Sequence, residues 1–232
     1  MNPARLKAIL FDVDGSLYRQ GPVRRAMFVR LLRAHVDRPL AGLRTLRWLQ
    51  AYRRAQERLR GEAADGGDLA EQQVGLACKW TGAAPAELRS CVRRWMEEEP
   101  LGLLRPSVRE GLPALMAAAS RGGLRLGACS DYPAAEKLDA MGLAGFFEVV
   151  VTAQDAEVQR FKPHPRVIEV ALRRLGVSNE EALYVGDRPE VDAEAARRAG
   201  VACAIIGGRH RRAVRPGCFS FPSFGRLVEF IC

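Results

Sequence analysis

The strongest constraint on this chain is a set of short apolar runs that end abruptly in polar residues. Lys7 to Val13 (KAILFDV) is apolar at nearly every position and ends at Asp12, Asp14 and Gly15. A strand with one wet face alternates apolar and polar residues, whereas a nearly continuous run of strand length is buried on both faces, the pattern of a parallel sheet. Similar runs recur at Leu124 to Cys129, Phe147 to Thr152, Ala182 to Val185 and Val201 to Ile206. Segments with helical spacing lie between them: Ser107 to Arg121, Pro133 to Met141, Pro165 to Leu175 before Gly176, and Glu190 to Ala199 before Gly200. Strands alternating with helices of this length predict βαβ units and an α/β fold, a doubly wound parallel sheet of five strands.

After the first strand the pattern becomes helical only. Val23, Met27, Leu31 and Ala34 follow helical spacing behind Pro22, as do Trp48, Tyr52, Ala55 and Leu59 before Gly61. Asp68 with Glu71 reads as a capping box opening a third helix that runs to Trp80. Pro85 opens a fourth, with Leu88, Val92 and Trp95 on one face, and Pro100 closes it. These helices predict an inserted all-helical unit over 18–103, and an α/β unit built from 1–17 and 104–232.

Length and composition narrow the function. With 232 residues, 48% of them hydrophobic, the chain can bury a core without staples. Its apolar stretches are far shorter than the roughly 18 residues of a membrane helix, and no charged-then-apolar leader precedes Asp12, so we expect a cytoplasmic protein with no membrane partner. The cysteines at 78, 91, 129, 203, 218 and 232 form no CxxC pair and have no histidine at metal-ligand spacing, which argues against zinc and against a disulfide frame. The net charge of +9 raises the question of nucleic acid. The arginines are scattered over several predicted helices without interleaved aromatics, and the one cluster, Arg209 to Arg215, falls in a stretch that reads as a loop. A solvated surface that attracts anionic substrates accounts for the charge better.

Open parallel sheets bind ligands beyond the carboxyl ends of their strands. The polar residues placed there are Asp12 and Asp14 after the first strand, Ser130 after the second, Lys162 in the segment following the third, and Asp187 with Asp192 after the fourth. Carboxylates, a hydroxyl and an ammonium converging on one edge conflict electrostatically unless a cation and an anion fill the space between them. A divalent metal and a phosphate resolve that conflict, and magnesium suits a few carboxylate oxygens completed by waters and substrate.

The segments ILFDVDGSLY, GACSDY, RFKPHP and YVGDRPEVD resemble, in order, the four motifs of the haloacid dehalogenase superfamily. Any one of them has an ordinary structural explanation as a turn, a cap or a surface lysine; their ordered recurrence at successive strand ends does not. The resemblance implies a Rossmann-like core and a magnesium-dependent phosphatase. Asp12 would be the nucleophile that forms an aspartyl-phosphate, and Asp14 the general acid and base. Ser130 and Lys162 would hold the phosphate. Asp12, the Asp14 main-chain carbonyl and Asp187 would ligate Mg2+, with Asp192 as a further ligand or a support. An aspartate at position 14 favours phosphoryl transfer over dehalogenation, because expelling an alkoxide calls for an acid.

The inserted helices correspond in position to the helical cap of the phosphoglycolate phosphatase-like and β-phosphoglucomutase-like branches. Tyr18 and Arg19, with the cap arginines Arg24, Arg53 and Arg54, are candidates for reading the leaving group, and Asp131 sits beside the phosphate pocket. Two residues depart from the family pattern: Ser16 where threonine is commoner, and Asp131 where an amide is commoner. Asp131 adds negative charge unless it turns away or pairs with an arginine. The expected partner is a small-molecule phosphomonoester, with the protein a monomer or homodimer; a phosphomutase and a non-catalytic binding protein remain as alternatives.

Overall fold

A computed structural model of the chain describes residues 5–61, 67–207 and 212–231, with the backbone alone for 212–215. Strand β1 (Ala8–Asp12) is buried along its whole length. It lies between two parallel neighbours, β2 (Arg125–Ser130) and β4 (Ala182–Gly186), so neither face nor edge meets solvent and the sequence shows no polar alternation. Side chains alternate across it. Ile9 and Phe11 enter one core with α6 (Leu112–Arg121), α7 (Ala135–Met141) and α10 (Phe224–Ile231). Ala8 and Leu10 enter the other, beneath α8 (Arg166–Leu175) and α9 (Glu194–Arg198). At about 1.5–3 kcal/mol for each large apolar side chain removed from water, these two layers are the main source of stability.

With β3 (Val149–Thr152), β5 (Ala202–Ile206), β6 (Arg212–Arg215) and β7 (Cys218–Phe221), the sheet order is β3-β2-β1-β4-β5-β7-β6. Six strands are parallel and β6 runs antiparallel at one edge. The five expected strands are all present, within a residue or two of their predicted bounds. The sequence reading missed β6, β7 and α10, and it placed Arg209–Arg215 in a loop. Residues 212–215 of that cluster form the edge strand, and 209–211 lie outside the described residues. Arginine at a sheet edge is a common guard against pairing with another chain, and it hides the apolar signal of a strand. The expected helix Glu190–Ala199 begins as a π-helical turn, Pro189–Ala193, before α9.

Between β1 and α6 the chain forms α1 (Gln20–Ala34), α2 (Pro39–Gly61), α3 (Leu69–Thr81), α4 (Pro85–Val92), a π-helical turn at Arg93–Glu98, and the short α5 (Leu101–Leu104). Pro100 therefore separates two helical pieces and does not end the helical unit. Leu31, Leu49, Tyr52, Ala55, Val74, Ala77, Leu88, Val92 and Trp95 form a separate apolar cluster among these helices. Asp68 caps α3 by accepting from the Glu71 amide at 3.0 Å, while the Glu71 carboxylate turns to Arg89 on α4 and leaves the capping box incomplete. The outgoing and returning chains pair where they cross: Tyr18 bridges Val108, Arg19 N–H donates to Ser107 O at 2.9 Å, and Arg109 N–H donates to Leu17 O at 2.9 Å.

Candidate active site

The parallel register brings the chemistry to one edge. Asp12 ends β1 and pairs with Cys129, one residue before Ser130 at the end of β2, while Val185 pairs with Phe11 and carries β4 on to Gly186 and Asp187. The loop after β1 turns at Gly15, whose φ is +101°. A Cβ there would lie 2.4 Å from Asp187 Oδ2, so the two loops close on each other only because residue 15 has no side chain. Arg109 fixes this turn, donating to Gly15 O from Nε at 3.0 Å and from Nη2 at 2.7 Å.

Lys162 stands at the centre, 2% exposed. Its ammonium donates to Asp12 Oδ1 at 2.5 Å, Asp192 Oδ1 at 2.7 Å and the Tyr184 hydroxyl at 3.1 Å. Burial by itself would favour loss of the proton; Asp12 and Asp192 outweigh it and hold the lysine well above its ordinary pKa. The second oxygen of Asp12 accepts from Ser16 Oγ at 2.7 Å, so the commoner threonine's hydroxyl function is retained. Asp192 also accepts from the amides of Asp187 and Arg188, at 3.2 and 3.0 Å, and is therefore both an ion-pair partner and the clasp of the loop after β4. The π-helical turn gives Asp192 this inward direction, in line with the tendency of such bulges to occur at functional sites.

Asp14 is separate from this network. Its carboxylate receives Lys137 Nζ at 2.8 and 2.6 Å and the Tyr18 hydroxyl at 2.6 Å. Burial raises its pKa, but Lys137 and Tyr18 overcome that and hold it below the usual carboxylate range. Burial pushes the Asp187 carboxyl up to about 6, helped by Asp192. The Asp12 carboxyl is pushed up as well, by burial first and then by Asp192 and Asp187, against the pull of Lys162.

Three of these carboxylates share one small buried space. Asp12, Asp187 and Asp192 each offer an oxygen within 4.8 Å of the others, and Asp187 Oδ1 is buried without a hydrogen-bond partner. An all-oxygen donor set with an orphaned buried acceptor fits a hard divalent cation. The Asp14 carboxylate is turned to Lys137, which leaves its main-chain carbonyl as what Asp14 could offer such an ion.

Ser130 is buried, its Oγ accepting from the Tyr132 amide at 3.2 Å. Asp131 lines the cavity above the site, but its carboxylate is already engaged: Oδ2 accepts from Arg60 at 2.6 Å and Gln56 at 3.3 Å, and Oδ1 accepts from the Lys162 amide at 3.1 Å. Arg60, from the end of α2, also donates to Lys162 O and lies over the Phe161 ring. The negative charge expected to disturb the phosphate pocket is thus paired with an arginine. Tyr18, Arg24 and Arg53 line the cavity. Arg19 is exposed and does not line it, and Arg54 lies over Trp80 instead.

Sequence reasoning missed Lys137, Tyr184, Arg109, Arg60 and Gln56. One signal was legible for the first: only four of the 36 basic residues are lysines, and two of those, Lys137 and Lys162, stand beside the aspartates. Tyr184, Arg60 and Gln56 lie within a strand or a helix, where their spacing is that of ordinary packing, and Arg109 lies in the connection before α6, which carries no motif.

Residues 6–200 match the haloacid dehalogenase-like hydrolase family, and the chain belongs to that family. It is 33% identical over 206 residues to a glyceraldehyde 3-phosphate phosphatase of Methanopyrus kandleri, covering 87% of this chain and 84% of that protein. It is 30% identical over 224 residues to the phosphoglycolate phosphatase of Escherichia coli K12, covering 87% and 81%. In fold it is similar to the magnesium-bound HAD-hydrolase YfnB of Bacillus subtilis, with a TM-score of 0.71 at 17% identity over 98% of this chain and 99% of that one.

Proposed function

We propose that the protein is a magnesium-dependent phosphatase that hydrolyses a small-molecule phosphomonoester through an aspartyl-phosphate. One observation carries this reading: a buried carboxylate at the end of the central strand, Asp12, has one oxygen on an ammonium and the other on a hydroxyl, with a second carboxylate two residues on. An Asp12 oxygen attacks phosphorus while the ester P–O bond breaks, and the departing oxygen takes a proton from Asp14. Water then attacks the phosphorus of the aspartyl-phosphate, gives its proton to Asp14, and inorganic phosphate leaves with Asp12 restored. Lys137 and the Tyr18 hydroxyl favour the carboxylate form of Asp14, the form needed for the second step, so Asp14 must take up a proton before the first. Lys162 orients Asp12 and offsets charge on the phosphoryl oxygens, and Ser130, buried at the end of β2, would donate to them in this reading. A divalent cation held by Asp12, Asp187 and Asp192, with the Asp14 carbonyl, would neutralise the repulsion between a carboxylate nucleophile and an anionic ester.

The helices over 18–103 act in this reading as a cap over the site, latched by Arg60 to Asp131. Two relatives with phosphatase names, each alignable over most of this chain, support the activity. No helix among the described residues is long and apolar enough to cross a membrane, and the described cysteines are free.

The test is phosphate release from a panel of phosphomonoesters with magnesium or chelator, for the wild type and Asp12→Asn. Magnesium-dependent release that the variant loses is the expected result. Near-normal turnover by Asp12→Asn would remove the assigned nucleophile, and release only in the presence of a bisphosphate would indicate a mutase.

A further inference from the structure

The cavity above Asp12 and Asp14 has a volume of about 420 Å3, roughly the liquid share of fourteen waters. Its base is charged, and part of the wall above it is apolar. Met27 and Leu31 of α1, Leu49 and Tyr52 of α2, and Trp95 and Met96 of the π-helical turn all line it. Leu31, Leu49, Tyr52 and Trp95 are at most 7% exposed and belong to the helical unit's own core, so the wall is a fixed surface of the fold. A small polar leaving group such as a two-carbon acid would leave this wall against trapped water, whereas an apolar body would displace that water and gain its burial energy.

Two cations face the same space. Arg24 on α1 and Arg53 on α2 line the cavity, and neither makes a hydrogen bond or ion pair with a described residue. Both residues are exposed, at the open side of the cavity; partial desolvation there, and then repulsion from Arg24, lowers the Arg53 pKa, a conflict that an anionic group between them would relieve. Of the remaining charged groups of the wall, all but Glu97 are paired. Glu57 pairs with Arg60 at 3.2 Å and with Arg188 at 3.7 Å, Lys137 holds Asp14, and Glu97 lies within electrostatic reach of Lys137 and Tyr52.

Resting on the phosphatase reading, we infer that the substrate is a phosphomonoester whose leaving alcohol has an extended apolar body and carries a second anionic group, the body lying against Met27, Leu31, Leu49 and Trp95 and the anion between Arg24 and Arg53. This is a larger and more apolar class than the substrates named for the relatives above.

The experiment compares kcat/KM for ethyl, butyl and hexyl phosphate, whose alcohols have similar basicity, and for hexyl phosphate carrying a terminal carboxylate. Each methylene buried on the wall is worth about fourfold, the equivalent of ~0.8 kcal/mol, so hexyl phosphate should exceed ethyl phosphate by at least about tenfold even with partial burial. The carboxylate should add a further gain of about fivefold or more, as expected for a charge-assisted hydrogen bond. Met27→Gln, close to isosteric at a half-buried position, should reduce the hexyl-to-ethyl ratio by about threefold or more. Arg53→Ala should bring the carboxylate-to-plain ratio towards one. Because these are ratios within one variant, partial loss of folded protein cancels.

Magnesium-dependent hydrolysis with a flat or falling alkyl series overturns the substrate class and leaves the phosphatase reading standing. If no ester is hydrolysed, the phosphatase reading falls, and calorimetric binding of the same four esters to Asp12→Asn with magnesium decides the cavity assignment. Affinity rising along the series upholds it, and uniform affinity overturns it.

Discussion

Replacing Arg60 by alanine tests how the helical unit is joined to the α/β layers. The guanidinium and the Asp131 carboxylate are 9% and 12% exposed and 2.6 Å apart, so water screens the pair poorly. Removing one partner of a buried pair costs about 3–5 kcal/mol, because the remaining charge is left uncompensated. The residual exposure of Asp131, and its bonds from Gln56 and the Lys162 amide, place the expected loss at the lower end, about 3 kcal/mol. At roughly 2–4 °C per kcal/mol for a chain of this size, the melting temperature should fall by about 6–12 °C. Asp131→Asn keeps one acceptor oxygen and loses the charge, so a double-mutant cycle in urea should return a coupling of about 2 kcal/mol. Arg60→Lys should recover only part of the loss, since an ammonium cannot reach Asp131 and Lys162 O in the same fork geometry. A loss for Arg60→Ala below about 0.5 kcal/mol, with additive double-mutant behaviour, would refute the latch and leave Arg60 as a surface arginine.

Three further outcomes follow from the site. Asp14→Asn should lower kcat by about 10² to 10⁴ fold, the usual contribution of a general acid-base group; a negligible change in steady-state rate would move the acid into the cap. Gly15→Ala should cost about 1–3 kcal/mol in denaturant unfolding, from a positive-φ backbone and a Cβ 2.4 Å from Asp187 Oδ2, and should also weaken metal binding; wild-type stability would show that the two loops have room to separate. Magnesium at a hundred times its Kd should stabilise the wild type by about 2.7 kcal/mol in thermal unfolding, and Asp187→Asn should lose most of that increment; an equal shift in both proteins would place the cation elsewhere.

Much of the fold was legible because burial on both faces imposes a simple pattern. Strands β1 to β5 read as apolar runs, and the residues at their ends were the ones that the register brings together: Asp12, Ser130, Asp187, with Lys162 and Asp192. Strand β6 was missed because it is short and begins and ends in arginine, unlike the apolar edge strand β3, and the break before α9 was missed because a π-helical turn keeps helical composition.

What the sequence determined by itself is the order and chemistry of the strand-end groups, since a strand fixes where its last residue points and the parallel sheet gathers those ends on one edge. What only the tertiary structure decided is every partnership made across distant elements. Lys137 reaches Asp14 over 123 residues, Arg60 meets Asp131 over 71, and Lys162 meets Asp12 over 150. Local spacing carries no information about such pairs. The cap's apolar wall belongs with them: Met27, Leu49 and Trp95 each read as an ordinary helix-packing residue, and they become one surface only when three helices meet over the carboxylates.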